Sequence, residues 1–261
     1  MRKLSFLFLS FAVLAFVGCK DPEKPDDPTP DPEEPVSEEF TKQIVDGGFE
    51  SCWYSQEMTD ETYLEYKSSV FYTLNNLHAL AEVPDLMLTS SPLTAYRDQD
   101  AHSGNYCMKL ITGVLTDQSK GRLLIPGAIA PLDQNFVYQF LTPSEYPEGI
   151  NVKREYHEKP NALLGYYKYM PVAGDSASVS VKLYNGSEVI AEGYFLEKNN
   201  VNAWTSFQVP IVYSNTSATP SHISIIISSS AGYNFADLTH CQGQEGSTLW
   251  IDDLEFTFPS K

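Results

Sequence analysis

Apolar and polar positions alternate along much of the chain with the two-residue period of a half-buried strand. Seven stretches carry this pattern or a short apolar run: 106–112, 162–170, 176–184, 189–196, 205–213, 222–229 and 248–258. In 222–229, Ile223, Ile225 and Ile227 alternate with Ser224, Ile226 and Ser228. Asn185-Gly186-Ser187 separates two of the stretches. It is a hairpin signal, because tight two-residue turns need backbone conformations that Asn and Gly tolerate. Pro160, Pro171 and Pro220 fall between stretches, where a missing N–H breaks no ladder. Residues 59–88 depart from the pattern: Asp60-Glu61 precede Tyr63, Leu64 and Tyr66, and Leu74, Leu77 and Leu80 follow. That stretch is expected to hold one or two short helices or an irregular insertion. Many short strands with turn signals between them predict an all-β fold, a β-sandwich or jelly roll.

Two segments precede this body. Arg2 and Lys3 lead into an apolar run over 4–17, too short to span a bilayer comfortably, so residues 1–18 read as a signal peptide. The run ends in Phe16-Val17-Gly18-Cys19, which resembles a bacterial lipoprotein box and marks Cys19 for lipidation. Lys20-Asp21-Pro22-Glu23 resembles the export signal of surface lipoproteins in Bacteroides-type bacteria. The expected address is the outer membrane, exposed at the cell surface, with the periplasmic face as the alternative. Residues 19–39 form a linker with six prolines, nine acids and two bases. Polyproline II preference and like-charge repulsion make it a stiff tether between membrane and body.

The body, 40–261, keeps a net charge of −12 out of −17 for the whole chain. Such a surface repels phosphate backbones, which excludes sequence-independent nucleic-acid binding. With 13% aromatic and 20% charged residues over the whole chain, the body is also too apolar to be disordered. Its three cysteines, Cys52, Cys107 and Cys241, leave at least one unpaired. Cys107 lies in a strand-like run and is expected in the core. Cys52 and Cys241 could pair only if the chain ends meet. No Cys-x-x-Cys is present to hold zinc.

Five local patterns combine in order along the body. They are Val45-Asp46-Gly47-Gly48-Phe49-Glu50 with Trp53, Tyr72-Thr73-Leu74-Asn75-Asn76-Leu77, and Ala101-His102-Ser103-Gly104-Asn105-Tyr106. Then come Gly165-Tyr166-Tyr167-Lys168-Tyr169 and Leu249-Trp250-Ile251-Asp252-Asp253-Leu254. From about residue 44 to 258 this order resembles the "putative carbohydrate metabolism domain" family of surface lipoproteins of Bacteroides-type bacteria. The resemblance implies a galactose-binding-like jelly roll, similar to several carbohydrate-binding modules. It implies no particular reaction.

In jelly rolls of this type the first and last strands lie close together, often beside a structural calcium. Calcium takes 6–8 oxygen ligands from carboxylates and carbonyls. Glu50 and Asp252 are the expected ligands, with Asp253 on the opposite face of a regular strand. The alternative is that these carboxylates accept backbone hydrogen bonds without a metal. For a glycan, Tyr166, Tyr167, Tyr169 and Trp204 are candidate platforms, and Lys168 and Arg97 candidate hydroxyl partners. Alternation puts Tyr167 and Tyr169 on one face and Tyr166 and Lys168 on the other. One of the two sets must be core, and the pattern leaves open which. No Gly-x-Ser-x-Gly or His-Glu-x-x-His occurs, and the five histidines are scattered. The expected function is non-catalytic glycan or polysaccharide binding at the cell surface. The alternatives are a glycoside hydrolase or other carbohydrate-active enzyme, and a surface adhesion or structural protein.

Overall fold

The structure is a computed structural model; it describes residues 43–57, 62–82, 88–90, 92–117, 121–132, 136, 139, 150–232 and 242–259. Cys19, the linker and Cys241 lie outside the described residues, and so does any pairing of Cys52 with Cys241.

Two antiparallel sheets face each other. The first has five strands in the order β14 (Val201–Pro210), β11 (Ala162–Met170), β17 (Thr248–Thr257), β6 (Cys107–Ile111) and β5 (Ala95–Asp98). The second has seven. Its path runs β15 (Val212–Tyr213), β13 (Glu188–Glu197), β12 (Ala177–Asn185), β16 (His222–Ser228), β9 (Ala128–Ala130) and β3 (Tyr72–Thr73), with β10 (Arg154–Glu155) also on β16. Two small sheets flank them: β1 (Trp53–Glu57) with β2 (Thr62–Tyr66), and β4 (Leu88–Ser90) with β7 (Gly113–Asp117) and β8 (Gly121–Ile125).

The core is made by alternate residues of the facing strands. Leu163, Tyr167 and Tyr169 of β11, Met108 and Leu110 of β6, and Leu249 and Ile251 of β17 face Val179, Val181 and Leu183 of β12 and the three isoleucines of β16. This is the two-residue period seen in the sequence, and the burial of these side chains is the main drive for closing one sheet on the other. The β12–β13 hairpin forms where Asn185-Gly186-Ser187 predicts it. Asn185 pairs with Glu188, and Gly186, at φ 59°, takes the loop position where a β-carbon would be strained.

Region 59–88 holds more order than the sequence predicts. It contributes β2, β3 and a 3₁₀ helix over Leu74–Glu82. Buried Asn75 explains how the helix is fixed. Its Oδ1 accepts the N–H groups of Thr94 and Ala95 (2.9 and 3.0 Å), and its Nδ2 donates to the Ala95 carbonyl (2.7 Å). One side-chain amide thus stands in for a strand neighbour along the edge of β5.

Candidate functional site

The last strand carries the irregularity that builds the site. Leu164 of β11 pairs with Glu255, but Tyr166 pairs with Asp252, so β17 has one extra residue over that step. Asp253 takes φ 50° there. This is a β-bulge. Core-facing positions switch from 249 and 251 to 254 and 256 across it. The expectation that Asp252 and Asp253 point to opposite faces, true of a regular strand, therefore fails.

Both aspartates hold one turn. Asp252 Oδ2 accepts the N–H groups of His102 (2.8 Å) and Ser103 (3.3 Å). Asp253 accepts the Ser103 hydroxyl at Oδ1 and faces His102 Nδ1 at Oδ2, each at 2.6 Å. Glu50 holds the far end of the same turn, with Oε1 accepting the N–H groups of Asn105 (2.7 Å) and Tyr106 (3.0 Å). Gly104 is required there: at φ 66°, its β-carbon would lie 2.0 Å from Glu50 Oε1. The N–H of Tyr106 is the largest influence holding the Glu50 carboxyl below its usual range. Burial pushes Asp252 up to about 6, with the charge of Asp253 adding to it.

Glu50 and Asp252 thus hold the same turn, each accepting backbone N–H donors. Among the described residues no three His, Cys, Asp or Glu side chains gather as a metal-binding group.

The turn lies over one end of the outer face of the five-stranded sheet. The His102 ring stacks on that of Tyr166, with centroids 3.5 Å apart and planes 12° apart. Cys107 is buried as expected, but beneath this loop rather than between the sheets. Its Sγ contacts the Asp100 carbonyl at 3.5 Å, and burial raises its pKa to about 12.

Beside the turn, a row of side chains crosses the sheet. Lys168 of β11 pairs with Trp250 of β17, Trp250 with Lys109 of β6, and Lys109 with Tyr96 of β5. Trp204 of β14 joins the row at Lys168, whose Nζ lies 4.7 Å from the Trp204 ring centre and 5.2 Å from that of Trp250. Lys109 Nζ lies 5.2 Å from the Trp250 ring. Aromatic and cation therefore alternate across all five strands, at cation–π separations from Trp204 to Lys109. Two carboxylates complete the row. Asp98 accepts Trp250 Nε1 at 3.1 Å and sits 3.6 Å from Lys109 Nζ, while Asp100 pairs with Lys168. The neighbouring row is Met170, Thr248 and Ile111, with Met170 well exposed.

The sequence-predicted residues divide accordingly. Tyr166, Lys168 and Trp204 are on this outer face. Tyr167 and Tyr169 are not platforms: they are 5% and 0% exposed, because the odd positions of β11 face the core. Their hydroxyls end on Glu197 (2.5 Å) and the Ser229 carbonyl (3.0 Å). Arg97 alternates away from Tyr96 and Asp98, and its guanidinium sits 4.3 Å from the Tyr106 ring centre. Trp250, Lys109, Tyr96, Asp98 and Asp100 were not singled out for the site. The signal that finds them is the cross-strand register, which sequence spacing does not contain.

No family model matches the chain, and no curated protein matches it. Solved structures do. A "putative glycoside hydrolase" from Bacteroides vulgatus aligns over 83% of this chain and 97% of its own, at TM-score 0.56 and 18% identity. Another "putative glycoside hydrolase", from Bacteroides thetaiotaomicron, aligns over 81% of this chain and 72% of its own, at TM-score 0.56 and 15% identity. A carbohydrate-binding module solved with beta-1,4-galactotriose covers 82% of this chain and 95% of its own, but at TM-score 0.34 and 10% identity it carries no argument. At these identities the likeness is one of fold. The chain is an antiparallel β-sandwich of jelly-roll type.

Proposed function

We propose that this protein binds glycan, without bond chemistry, on the outer face of its five-stranded sheet. The row Trp204, Lys168, Trp250, Lys109 and Tyr96 carries the reading. Its aromatic members point away from the interface between the sheets, so core packing does not call for them. Sugars present apolar C–H faces and hydroxyl edges, and indole, phenol, amino and carboxylate groups side by side answer both. The family resemblance and the names of the Bacteroides neighbours support a carbohydrate setting.

The hydrolase alternative asks for a carboxyl of raised pKa within reach of the ligand. Among the described residues, the two carboxyls most clearly raised, Glu65 and Asp252, are 2% and 0% exposed, which favours binding over cleavage. The test is calorimetric titration of the full-length chain with a panel of soluble polysaccharides. Saturable binding to at least one is expected; no binding across the panel, at millimolar sugar, would overturn the proposal.

We also propose that Cys19 is lipidated and that the linker holds the body at the outer surface. Cys19→Ala is expected to move the chain from the membrane to the soluble fraction; unchanged membrane association would contradict it. Calcium at the Glu50–Asp252 seam is a further proposal, supported by the Glu50, Asp252 and Asp253 carboxylates that hold the 102–106 turn. Chelation is then expected to lower the Tm and added calcium to restore it. An unchanged Tm would leave the N–H contacts as the whole account of the seam.

A further inference from the structure

Resting on that reading, we infer that the ligand is an internal stretch of a neutral, linear glycan lying across the strands. Charge is the first argument. Both cations of the row already have a carboxylate on the same face, Lys168 with Asp100 and Lys109 with Asp98 at 3.6 Å. Lys168 is itself only 7% exposed, so the row offers Lys109, Asp98 and Asp100 as hydrogen-bonding partners, with no surplus positive charge. Around it, the body carries −12, and a field of that sign repels uronate and sulfate polymers before contact. A uronate or sulfate would also have to displace Asp98 or Asp100 from its lysine, which leaves a carboxylate without its partner.

Extent is the second argument. The row begins on β14 and ends on β5, the two edge strands of the sheet. Four inter-strand gaps of about 4.8 Å make it roughly 19 Å long. That length accommodates several sugar units in line, and a row reaching both edges lets the polymer continue past each end. One flank is walled by the His102–Tyr166 stack, and the other is the Met170, Thr248 and Ile111 shoulder. A chain directed along the row is thereby favoured over one crossing it.

The experiment titrates the full-length chain with neutral oligosaccharides of one to six units, of the backbone that the polysaccharide panel identifies. The same lengths are then tested with reduced ends, and against uronate-containing and sulfated chains at low and high salt. Affinity is expected to rise by about tenfold or more from the shortest to the longest neutral ligand. End reduction of the longest is expected to leave it within about twofold, and the charged chains to bind at least about tenfold more weakly at low salt. Equal or tighter binding of the charged chains would overturn the neutral assignment. Full affinity for a monosaccharide, or loss of affinity on end reduction, would overturn the internal one. Failure of every glycan, neutral and charged, would instead overturn the glycan reading itself.

Discussion

Trp250→Ala is expected to weaken glycan binding by at least about thirtyfold, or about 2 kcal/mol, the scale of a central aromatic contact at a binding surface. Trp250 is the middle member of the row. Its ring lies beside both lysines, and its indole N–H holds Asp98. Removing it takes away apolar surface and frees Lys109, Lys168 and Asp98 from the arrangement that faces the ligand. Because Trp250 points away from the sandwich core, the variant is expected to remain folded, which its circular dichroism and melting curve would check. Tyr194→Ala is the control. Tyr194 is 58% exposed but lies on β13 of the other sheet, so its loss should leave affinity unchanged. Binding by Trp250→Ala within about threefold of the native chain would place the ligand elsewhere.

The long strands were legible because each shows its period over many residues. The stretch read as 162–170 is β11, and 222–229 overlaps all of β16. The shorter strands β5, β8, β9 and β10, of two to five residues, are too brief for alternation to stand out. The stretch 205–213 spans two elements, because β14 ends at Pro210 and β15 begins at Val212. For the site, alternation separated Tyr166 and Lys168 from Tyr167 and Tyr169 but could not orient either pair. Orientation depends on which side the second sheet closes. The partners of Lys168 come from β17, β14 and the loop after β5, as far as 82 positions away in sequence at Trp250. The bulge at Asp253 was hidden for a different reason. Asp-Asp in a strand reads as one residue on each face unless an extra residue is known to be inserted.

Unfolding stability is expected to fall as pH rises from about 5 to about 8, and Glu65→Gln is expected to remove most of that fall. Glu65 sits on β2 with 2% exposure. Its Oε1 accepts the Thr73 hydroxyl at 2.8 Å, and its Oε2 is buried without a partner. A carboxylate there would be stripped of water with only Thr73 hydrogen bonds and the more distant Lys67 charge in return, and burial pushes the group from 4.5 up to about 8. The folded state therefore holds a proton that the unfolded chain releases above about 4.5. Where the folded state binds more protons, stability decreases with rising pH. The contribution is fully present below the unfolded value and is lost as pH climbs through the folded one. A shift of that size corresponds to on the order of 4 kcal/mol, or very roughly 10 °C in Tm for a chain of this length. Asp252, raised for the same reason, acts in the same direction at lower pH. Glu50, Asp98 and Glu197 have lowered values, so their contributions are lost on acidification and fall outside this window. The informative quantity is the difference between native and Glu65→Gln melting curves across pH 5–9. A native profile that stays flat, or the same slope in both proteins, would mean that Glu65 is ionised in the fold and that its surroundings supply a counter-charge.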